Sequence, residues 1–423
     1  MRCNTFCGAT KKPSDECTPI PALAPIHPLA GNRDYLMNRG RMKIVSAALV
    51  LFAFGFLVLS LVFKIFPLLI ATAISLCASV GVICNRLAKS SLLISSVLSA
   101  VLLGEMVAFL SDRSTLRPAV VVRPADFEVA DANLGYLWKP GRHRVKAYSR
   151  SGQVMYDVVY SIGDDGFRFT PDVTGTEPVY FLGASDLFGT GVNDDETLPF
   201  LFRRVAPQSF VKNYGGEGYG LSHNLVVLRD RIMERKAIVI VLTGPWYAPR
   251  SACLGSWLYG SPRFIIDDHG TVIEDGICDN LFIRAYNIGL ESKFMLYRKL
   301  LSLIELQLRS DKRVLDLYLA TLGELKRVAD SRSQRLLVAY TKVPEGYLGP
   351  WNVSNETIMA AIQQMGIELI DVTLMPTFEA LTDEYFVHQE DSHPSVLAND
   401  LRAKVLAKYL RANRARSGID VIK

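Results

Sequence analysis

The stretch Ala237–Thr243, AIVIVLT, decides the fold class of this chain. Seven uncharged and mostly β-branched residues in a row predict a strand that is buried on both faces. Shorter apolar runs of the same kind lie at Val179–Leu182, Phe210–Asn213, Leu336–Tyr340 and Glu368–Val372. Segments with helical spacing of apolar residues lie between or beside these runs, at 196–206, 221–235, 291–330, 355–365 and 396–412. Strands that alternate with helices predict an α/β domain with a parallel sheet and helices on both faces.

The region before this domain is far more hydrophobic. Residues 44–63 and 65–84 are uncharged, and residues 92–110 carry one acid, Glu105. About 20 apolar residues in a helix cross a bilayer. We therefore predict about three membrane-spanning helices within 44–110, with two spans, or a hydrophobic hairpin and a buried helix, as the alternatives.

Charge predicts the orientation of these spans. Residues 1–43 hold seven Lys and Arg against three acids, which indicates a cytoplasmic tail under the positive-inside rule. Three spans then deliver residues 111–423 to the outer side of the membrane, and an even number reverses this.

The rest of the composition limits the function classes. The net charge of +5 is small and spread along the chain, which argues against a nucleic-acid partner. An apolar content of 49% excludes a mostly disordered chain. Residues 111–170 are predicted to form a linker and a small β segment, with a turn at Asp164-Asp165-Gly166, and residues 171–423 the α/β domain.

Two cysteines, Cys253 and Cys278, lie in the C-terminal region. An isolated pair in an exported domain predicts one disulfide, which would stabilise the domain by about 3 kcal/mol through loop entropy. Two unpaired thiols in a cytosolic domain are the alternative.

Three segments carry candidate chemistry at the carboxyl ends of predicted strands, where sites of parallel sheets form. Ser185 follows the first strand at a sharp turn, and a glycine-rich loop, 213–220, follows the second. The loop has no phosphate-binding or dinucleotide fingerprint, so we discount nucleotides. Asp391-Ser392-His393-Pro394 precedes the terminal helix and offers an acid that could orient a histidine base. A plain helix start, with Ser392 as its cap and Pro394 in the first turn, is the alternative.

Together these segments resemble the motif blocks of SGNH/GDSL hydrolases. The run Phe181–Pro199, FLGASDLFGTGVNDDETLP, resembles the first block, Asn213–Gly218 the second, and Asp391–Pro394 the last. Leu134–Gly141, with further positions up to Gly166-Phe167-Arg168, resembles the preceding segment of bacterial membrane-attached members.

The resemblance implies a flavodoxin-like three-layer α/β/α domain and serine ester chemistry without metal or cofactor. By position, Ser185 would be the nucleophile, His393 the base and Asp391 the orienting acid. The backbone N–H groups of Ser185 and Gly215 would hold the oxyanion. The implied location is the inner (cytoplasmic) membrane, as a multi-pass protein with its catalytic domain on the extracytoplasmic side.

Two positions depart from the family pattern. Ala184 stands where the family has an aspartate beside the serine, and Trp246 stands where it has an oxyanion-binding asparagine. Trp246 or Asn224 could supply a third donor, as could Arg250. We also assign Trp246, Tyr247 and Arg250 to substrate binding.

An insertion at 250–280 follows this stretch and holds aromatic and charged residues: Trp257, Tyr259, Arg263 and His269. Such side chains suit sugar rings. A disulfide-pinned cover over the sheet edge is the alternative role.

Three functions compete at this stage. The first is a membrane-anchored esterase that removes O-acyl groups from an envelope glycan. The second is an O-acyltransferase that uses the same triad to modify a polysaccharide, with a membrane partner as acyl donor. The third is a non-catalytic glycan-binding or assembly protein.

Overall fold

The computed structural model describes residues 72–77, 88–111, 119–170, 175–285 and 295–413. The predicted tail, the first apolar stretch and most of the second lie outside these residues. The third stretch forms most of helix α1, Ala88–Ser111. Within the described ranges, no helix is both long and apolar enough to cross a membrane. The strands below belong to one compact unit, which takes in the described residues from 100 onward.

The strands are numbered in chain order. They are β1 (Val120–Val122), β2 (Glu128–Asp131), β3 (Gly135–Trp138), β4 (Gly141–Tyr148), β5 (Val154–Ile162), β6 (Glu177–Gly183), β7 (Ser209–Gly215), β8 (Ile238–Thr243), β9 (Pro262–Ile266), β10 (Val272–Ile277), β11 (Arg335–Tyr340), β12 (Glu368–Asp371), β13 (Phe386–His388) and β14 (Asp391–Pro394).

The helices after α1 are α2 (Ser185–Phe188), α3 (Leu198–Val205), α4 (Leu221–Arg231), α5 (Tyr247–Ser251), α6 (Met295–Arg309), α7 (Lys312–Ser331), α8 (Glu345–Leu348), α9 (Asn355–Gln364) and α10 (Val396–Ala412). Residues 281–285 form a further short helical segment.

The five predicted strands form one parallel sheet in the order β7-β6-β8-β11-β12. Taken in chain order, this is the flavodoxin-like arrangement 2-1-3-4-5. The predicted fold class is therefore confirmed for the α/β domain. The strand order reverses between β6 and β8, and a ligand crevice is expected at the carboxyl ends of these two strands.

Side chains of the central strands alternate between two cores. Val179 and Phe181 of β6 face a cluster that includes α3 and α10. Tyr180 and Leu182 face the opposite cluster, which includes α4, α7 and α9. Helices thus cover both faces of the sheet, as the buried pattern of its strands predicts.

The helix boundaries refine the sequence prediction at two places. The predicted helix 291–330 is two helices, α6 and α7, because Asp311 caps α7 and accepts a hydrogen bond from the N–H of Arg313. The alternative in which Ser392 caps the terminal helix is wrong. Ser395 is the cap of α10, while Asp391–Pro394 form β14, paired with β13.

Cys253 and Cys278 form the predicted disulfide, with their Cα atoms 5.4 Å apart. It ties the end of α5 to the end of the β9–β10 hairpin. Both sulfur-bearing residues are buried with Leu258 and Ile283. The insertion therefore has a small apolar core of its own.

The N-terminal β segment occupies residues 120–168 and starts with β1 at Val120. Its strands β1, β4 and β5 form an antiparallel sheet. Trp138 and Tyr160 of this segment place their rings 5.0 and 5.2 Å from that of Phe188, at the end of α2. The segment thus packs directly beneath the helix that carries Ser185.

Arg168, at the end of this segment, binds the loop that follows Ser185. Its Nε donates to Asp194 Oδ1 at 2.8 Å. Its terminal amino groups donate to the carbonyl oxygens of Phe188, Gly189 and Val192 at 2.9 to 3.2 Å. The side chain is fully buried. One guanidinium therefore binds three carbonyl oxygens of this loop and pairs with the Asp194 carboxylate, which also accepts the N–H of Ser161 at 3.0 Å.

We predict that Arg168→Met lowers the free energy of unfolding by about 3 to 5 kcal/mol, because it leaves the buried carbonyl oxygens of the loop without this donor and removes the ion pair with Asp194. Urea unfolding followed by circular dichroism measures this loss. Arg144→Met is the matched control, since Arg144 forms an exposed pair with Asp157 and should cost at most about 1 kcal/mol. Equal midpoints for wild type and Arg168→Met would contradict the role given to Arg168.

Candidate active site

Ser185 lies at the switch point of the sheet, as the first residue of α2 directly after β6. The helix ends after one turn at Gly189, whose φ of 87° is the left-handed conformation that favours glycine. A Cβ at this position would also lie 2.6 Å from a methyl carbon of Thr197. The glycine therefore permits the tight turn that presents Ser185 at the end of the strand.

The predicted acid and base are hydrogen-bonded. His393 Nδ1 and Asp391 Oδ1 are 2.5 Å apart, and the same oxygen accepts the backbone N–H of His393 at 3.0 Å. The carboxylate therefore fixes the ring orientation and leaves Nε2 as the nitrogen available for proton transfer.

Two cavities meet at these residues. The first, which we call the apolar cavity, has a volume of about 300 Å³. The second, which we call the polar cleft, has a volume of about 640 Å³. Ser185, His393 and Arg250 line both of them. The predicted nucleophile and base are thus brought together at the boundary of two spaces.

The two cavities differ in chemistry. The apolar cavity is walled mainly by carbon, with residues such as Leu374, Phe378, Leu381 and Phe386. The polar cleft adds charged and aromatic side chains, among them Arg123, Glu217, Tyr136 and Trp257. A ligand that reaches Ser185 can therefore place an apolar part on one side and a polar part on the other.

The electrostatics favour a protonated histidine. Burial acts to lower the pKa of His393, but the hydrogen bond and charge of Asp391 outweigh burial and raise this pKa above its ordinary value. The negative charges of Glu217 and Asp186 raise it further. For Asp391, burial acts to raise the pKa, and the hydrogen bond and charge of His393 lower it below the ordinary value.

The predicted oxyanion donors differ in whether they are free to donate and whether they line a cavity. Ser185 begins a helix, where the first backbone N–H groups have no intrahelical partner. The N–H of Gly215 instead donates to Asn213 Oδ1 at 2.9 Å, so it is already engaged. Trp246 lines the apolar cavity. Asn224 is buried within α4, lines neither cavity, and has no hydrogen-bond partner for its amide among the described residues.

Two of the three predicted substrate-binding residues line the cavities, and one does not. Trp246 and Arg250 line the site, whereas Tyr247 is fully buried and lines neither cavity. Arg250 donates to the carbonyl oxygen of Tyr219 at 2.9 Å, and its guanidinium carbon lies 5.4 Å from the centre of the Tyr247 ring. Tyr247 therefore supports Arg250 and does not contact the cavities.

Sequence reasoning missed the importance of Glu217 in the glycine-rich loop. Its carboxylate accepts hydrogen bonds from Thr190 Oγ1 at 2.8 Å and from Arg123 at 2.9 Å. Its backbone carbonyl accepts the hydroxyl proton of Tyr136 at 2.7 Å. Glu217 is the single charged residue in 213–220, a signal that was available in the sequence.

The insertion reaches the same cleft through one residue. Trp257 Nε1 donates to the carbonyl oxygen of Gly218 at 3.1 Å, and the side chain is about half exposed. The disulfide-bonded insertion therefore carries an aromatic wall of the polar cleft. His269 lies apart from this site, in the turn between β9 and β10, where its N–H donates to Asp267 Oδ1.

No protein-family model matches this chain, and no curated protein matches it either. Several solved structures are similar to it. A lipolytic protein of the G-D-S-L family from Veillonella parvula is 13% identical with a TM-score of 0.35, and the match covers 56% of this chain and 99% of that one. For a putative lipolytic G-D-S-L protein from Desulfitobacterium hafniense, the identity is 13%, the TM-score 0.32 and the coverage 55% and 99%.

An acetyl xylan esterase from Geobacillus stearothermophilus is 15% identical, with a TM-score of 0.32 and coverage of 59% of this chain and 99% of that one. The two lipolytic proteins carry the name of the family that the motif blocks resemble. Their identities and TM-scores are too low to assign an activity, which therefore rests on the geometry of the site.

The site predicts a specific pH dependence. Activity should rise with pH through the raised pKa of His393, because the base works only when it is deprotonated. Glu217→Gln removes a negative charge that raises this pKa, so the acid limb of the kcat/KM profile should move to lower pH. Glu128→Gln is the control, since Glu128 also pairs with Arg123 but is not among the main influences on the pKa of His393, so it should move the acid limb less. An unchanged acid limb in Glu217→Gln would contradict this electrostatic account.

Proposed function

We propose that this chain is a serine ester hydrolase of the SGNH/GDSL type, with Ser185, His393 and Asp391 as its catalytic triad. The observation that carries the proposal is that Ser185 and a histidine, itself hydrogen-bonded to Asp391, line the same two cavities. Acyl transfer through a serine requires a nucleophile, a base and an acid that orients the base, and these three residue types are present at this site.

The reaction follows from these roles. Ser185 Oγ attacks the ester carbonyl carbon while His393 Nε2 takes the hydroxyl proton. Negative charge develops on the carbonyl oxygen, where the N–H of Ser185 and the indole N–H of Trp246 are the donors we assign. The ester C–O bond then breaks, His393 returns its proton to the leaving alkoxide, and an alcohol departs. Water, activated by the same histidine, releases the acid and restores Ser185.

We assign the alcohol part of the substrate to the polar cleft and infer that it is a glycan. Aromatic faces such as Trp257 and Tyr136 suit the apolar faces of sugar rings. Charged groups such as Arg123 and Glu217 suit their hydroxyl groups. The substrate class we propose is the O-acyl groups of an envelope glycan or a similar ester.

The proposed location is the inner membrane, as a multi-pass protein with the catalytic domain on the extracytoplasmic side. The apolar stretches at 44–110 and the basic tail support this orientation. The disulfide between Cys253 and Cys278 agrees with it, since such bonds persist in oxidising compartments.

O-acyl transfer to a polysaccharide is the second candidate function. The size of the polar cleft, about 640 Å³, favours it, because an acceptor hydroxyl could occupy the space that the leaving alcohol vacates. A membrane partner would then supply the acyl donor. Partition of the acyl-enzyme between water and added sugar discriminates the two reactions.

We predict that a fluorophosphonate probe labels the full chain on Ser185 and that Ser185→Ala and His393→Ala abolish labelling. Asp391→Asn should lower ester turnover by about 10⁴-fold, because it disturbs the histidine tautomer. Ser392→Ala is the matched control, since Ser392 lines the apolar cavity without belonging to the triad and should leave labelling intact. A folded wild-type chain that is never labelled would contradict both the hydrolase and the transferase function. It would favour a non-catalytic glycan-binding protein.

A further inference from the structure

The apolar cavity contains a buried cation that the proposed reaction does not use. Arg402, on α10, lines this cavity and is only 6% exposed. Its Nε donates to the carbonyl oxygen of Val372 at 3.0 Å. Within the described part of the chain, its two terminal amino groups have no hydrogen-bond acceptor and it forms no ion pair. Burying a guanidinium whose terminal amino groups lack acceptors costs free energy unless a ligand in the cavity binds them.

The charges around the cavity leave an excess of positive charge. Arg402 and Arg250 both line it, and Asp186 is the one carboxyl group among its described lining residues. Asp186 does not pair directly with either arginine, and its Oδ1 accepts the N–H of Leu187 at 3.0 Å. Burial raises the pKa of Asp186, although the positive charges of Arg402, Arg250 and His393 act to lower it. The raised pKa makes the Asp186 carboxyl group harder to ionise.

The remaining walls suit a short hydrocarbon chain. Leu374, Phe378, Leu381 and Phe386 line the same cavity as Ser185 and Arg402. Leu374 has a φ of 78°, a backbone conformation that is uncommon for leucine and is typical of functional loops. The volume of about 300 Å³ is more than an acetyl group needs.

We propose that the acyl group cleaved at Ser185 carries a carboxylate at its far end, which Arg402 binds through its two free amino groups. This inference rests on the proposed function and names its acyl class, the half-ester of a short dicarboxylic acid. Arginine suits this role, since its planar fork matches a carboxylate with two parallel hydrogen bonds.

The distal carboxylate takes no part in bond making or breaking. The ester C–O bond breaks at the proximal carbonyl, the alcohol leaves through the polar cleft, and the acyl chain stays on Ser185 Oγ with its carboxylate against Arg402. Hydrolysis then releases a dicarboxylic acid. Arg402 is thus a specificity-determining residue of the acyl side.

The first test compares two aryl esters of equal chain length on the full chain, p-nitrophenyl hydrogen glutarate and p-nitrophenyl pentanoate. The expected result is a higher kcat/KM for the glutarate. Arg402→Gln should lower kcat/KM for the glutarate by about tenfold or more and leave that for the pentanoate within about threefold. Preference for the neutral ester in the wild type, or equal losses for both esters, would overturn the proposal.

Two further variants guard against a folding defect at this buried position. Arg402→Lys keeps the charge and loses the fork, so it should retain part of the glutarate preference. Arg411→Gln, which removes an exposed arginine farther along α10, should change neither ester. Thermal melting of each variant shows whether the protein compared is folded.

A binding measurement separates this inference from the proposed function. Calorimetric titration of Ser185→Ala with monomethyl glutarate and with methyl pentanoate needs no turnover. Binding of the glutarate that is lost in the double variant with Arg402→Gln supports the carboxylate site even if no ester is hydrolysed. Absence of glutarate binding beside normal fluorophosphonate labelling of the wild type would sink this inference and leave the proposed hydrolase intact.

Discussion

The buried guanidinium of Arg168 is the constraint on which the site depends. It binds the carbonyl oxygens of the loop after Ser185 and the carboxylate of Asp194, and it stacks 4.1 Å from the centre of the Tyr160 ring. The hydroxyl of Tyr160 in turn accepts the N–H of Gly191 at 2.8 Å. A one-turn helix such as α2 has little stability of its own. The N-terminal β segment therefore supplies the rigidity that holds the nucleophile at the end of β6.

The opposite wall of the site is built from the C-terminal end of the chain. The β13–β14 hairpin carries Asp391 and His393, and Ser395 then starts α10, which packs against α3 in the core cluster that contains Val179 and Phe181. The proposed nucleophile and base thus come from elements about 200 residues apart that line the same two cavities. Arg402, two turns into α10, extends the same wall into the apolar cavity. The hairpin that carries His393 therefore leads directly into the helix that carries Arg402.

The sequence predicts the sheet well, because buried parallel strands leave an uncharged signature that few other elements share. All five strands and the places of Ser185, Asp391 and His393 follow from it, with the motif resemblance. The oxyanion arrangement does not follow, because the engagement of Gly215 by Asn213 depends on a side-chain rotamer. The sequence also does not predict the roles of Glu217, Arg123 and Arg402, because each of these side chains contacts residues that are distant in the chain. The full burial of Tyr247 beside Trp246, which is partly buried and lines the apolar cavity, is likewise a matter of local geometry at the start of α5.

The central claim is that an acyl group passes through Ser185. The most direct measurement is mass spectrometry of the full chain, quenched with acid during turnover of an aryl ester and digested to peptides. The account predicts an added acyl mass on the peptide that contains Ser185, and its absence in Ser185→Ala. Ester turnover without an acyl group on Ser185, or an acyl group on another residue, would contradict it.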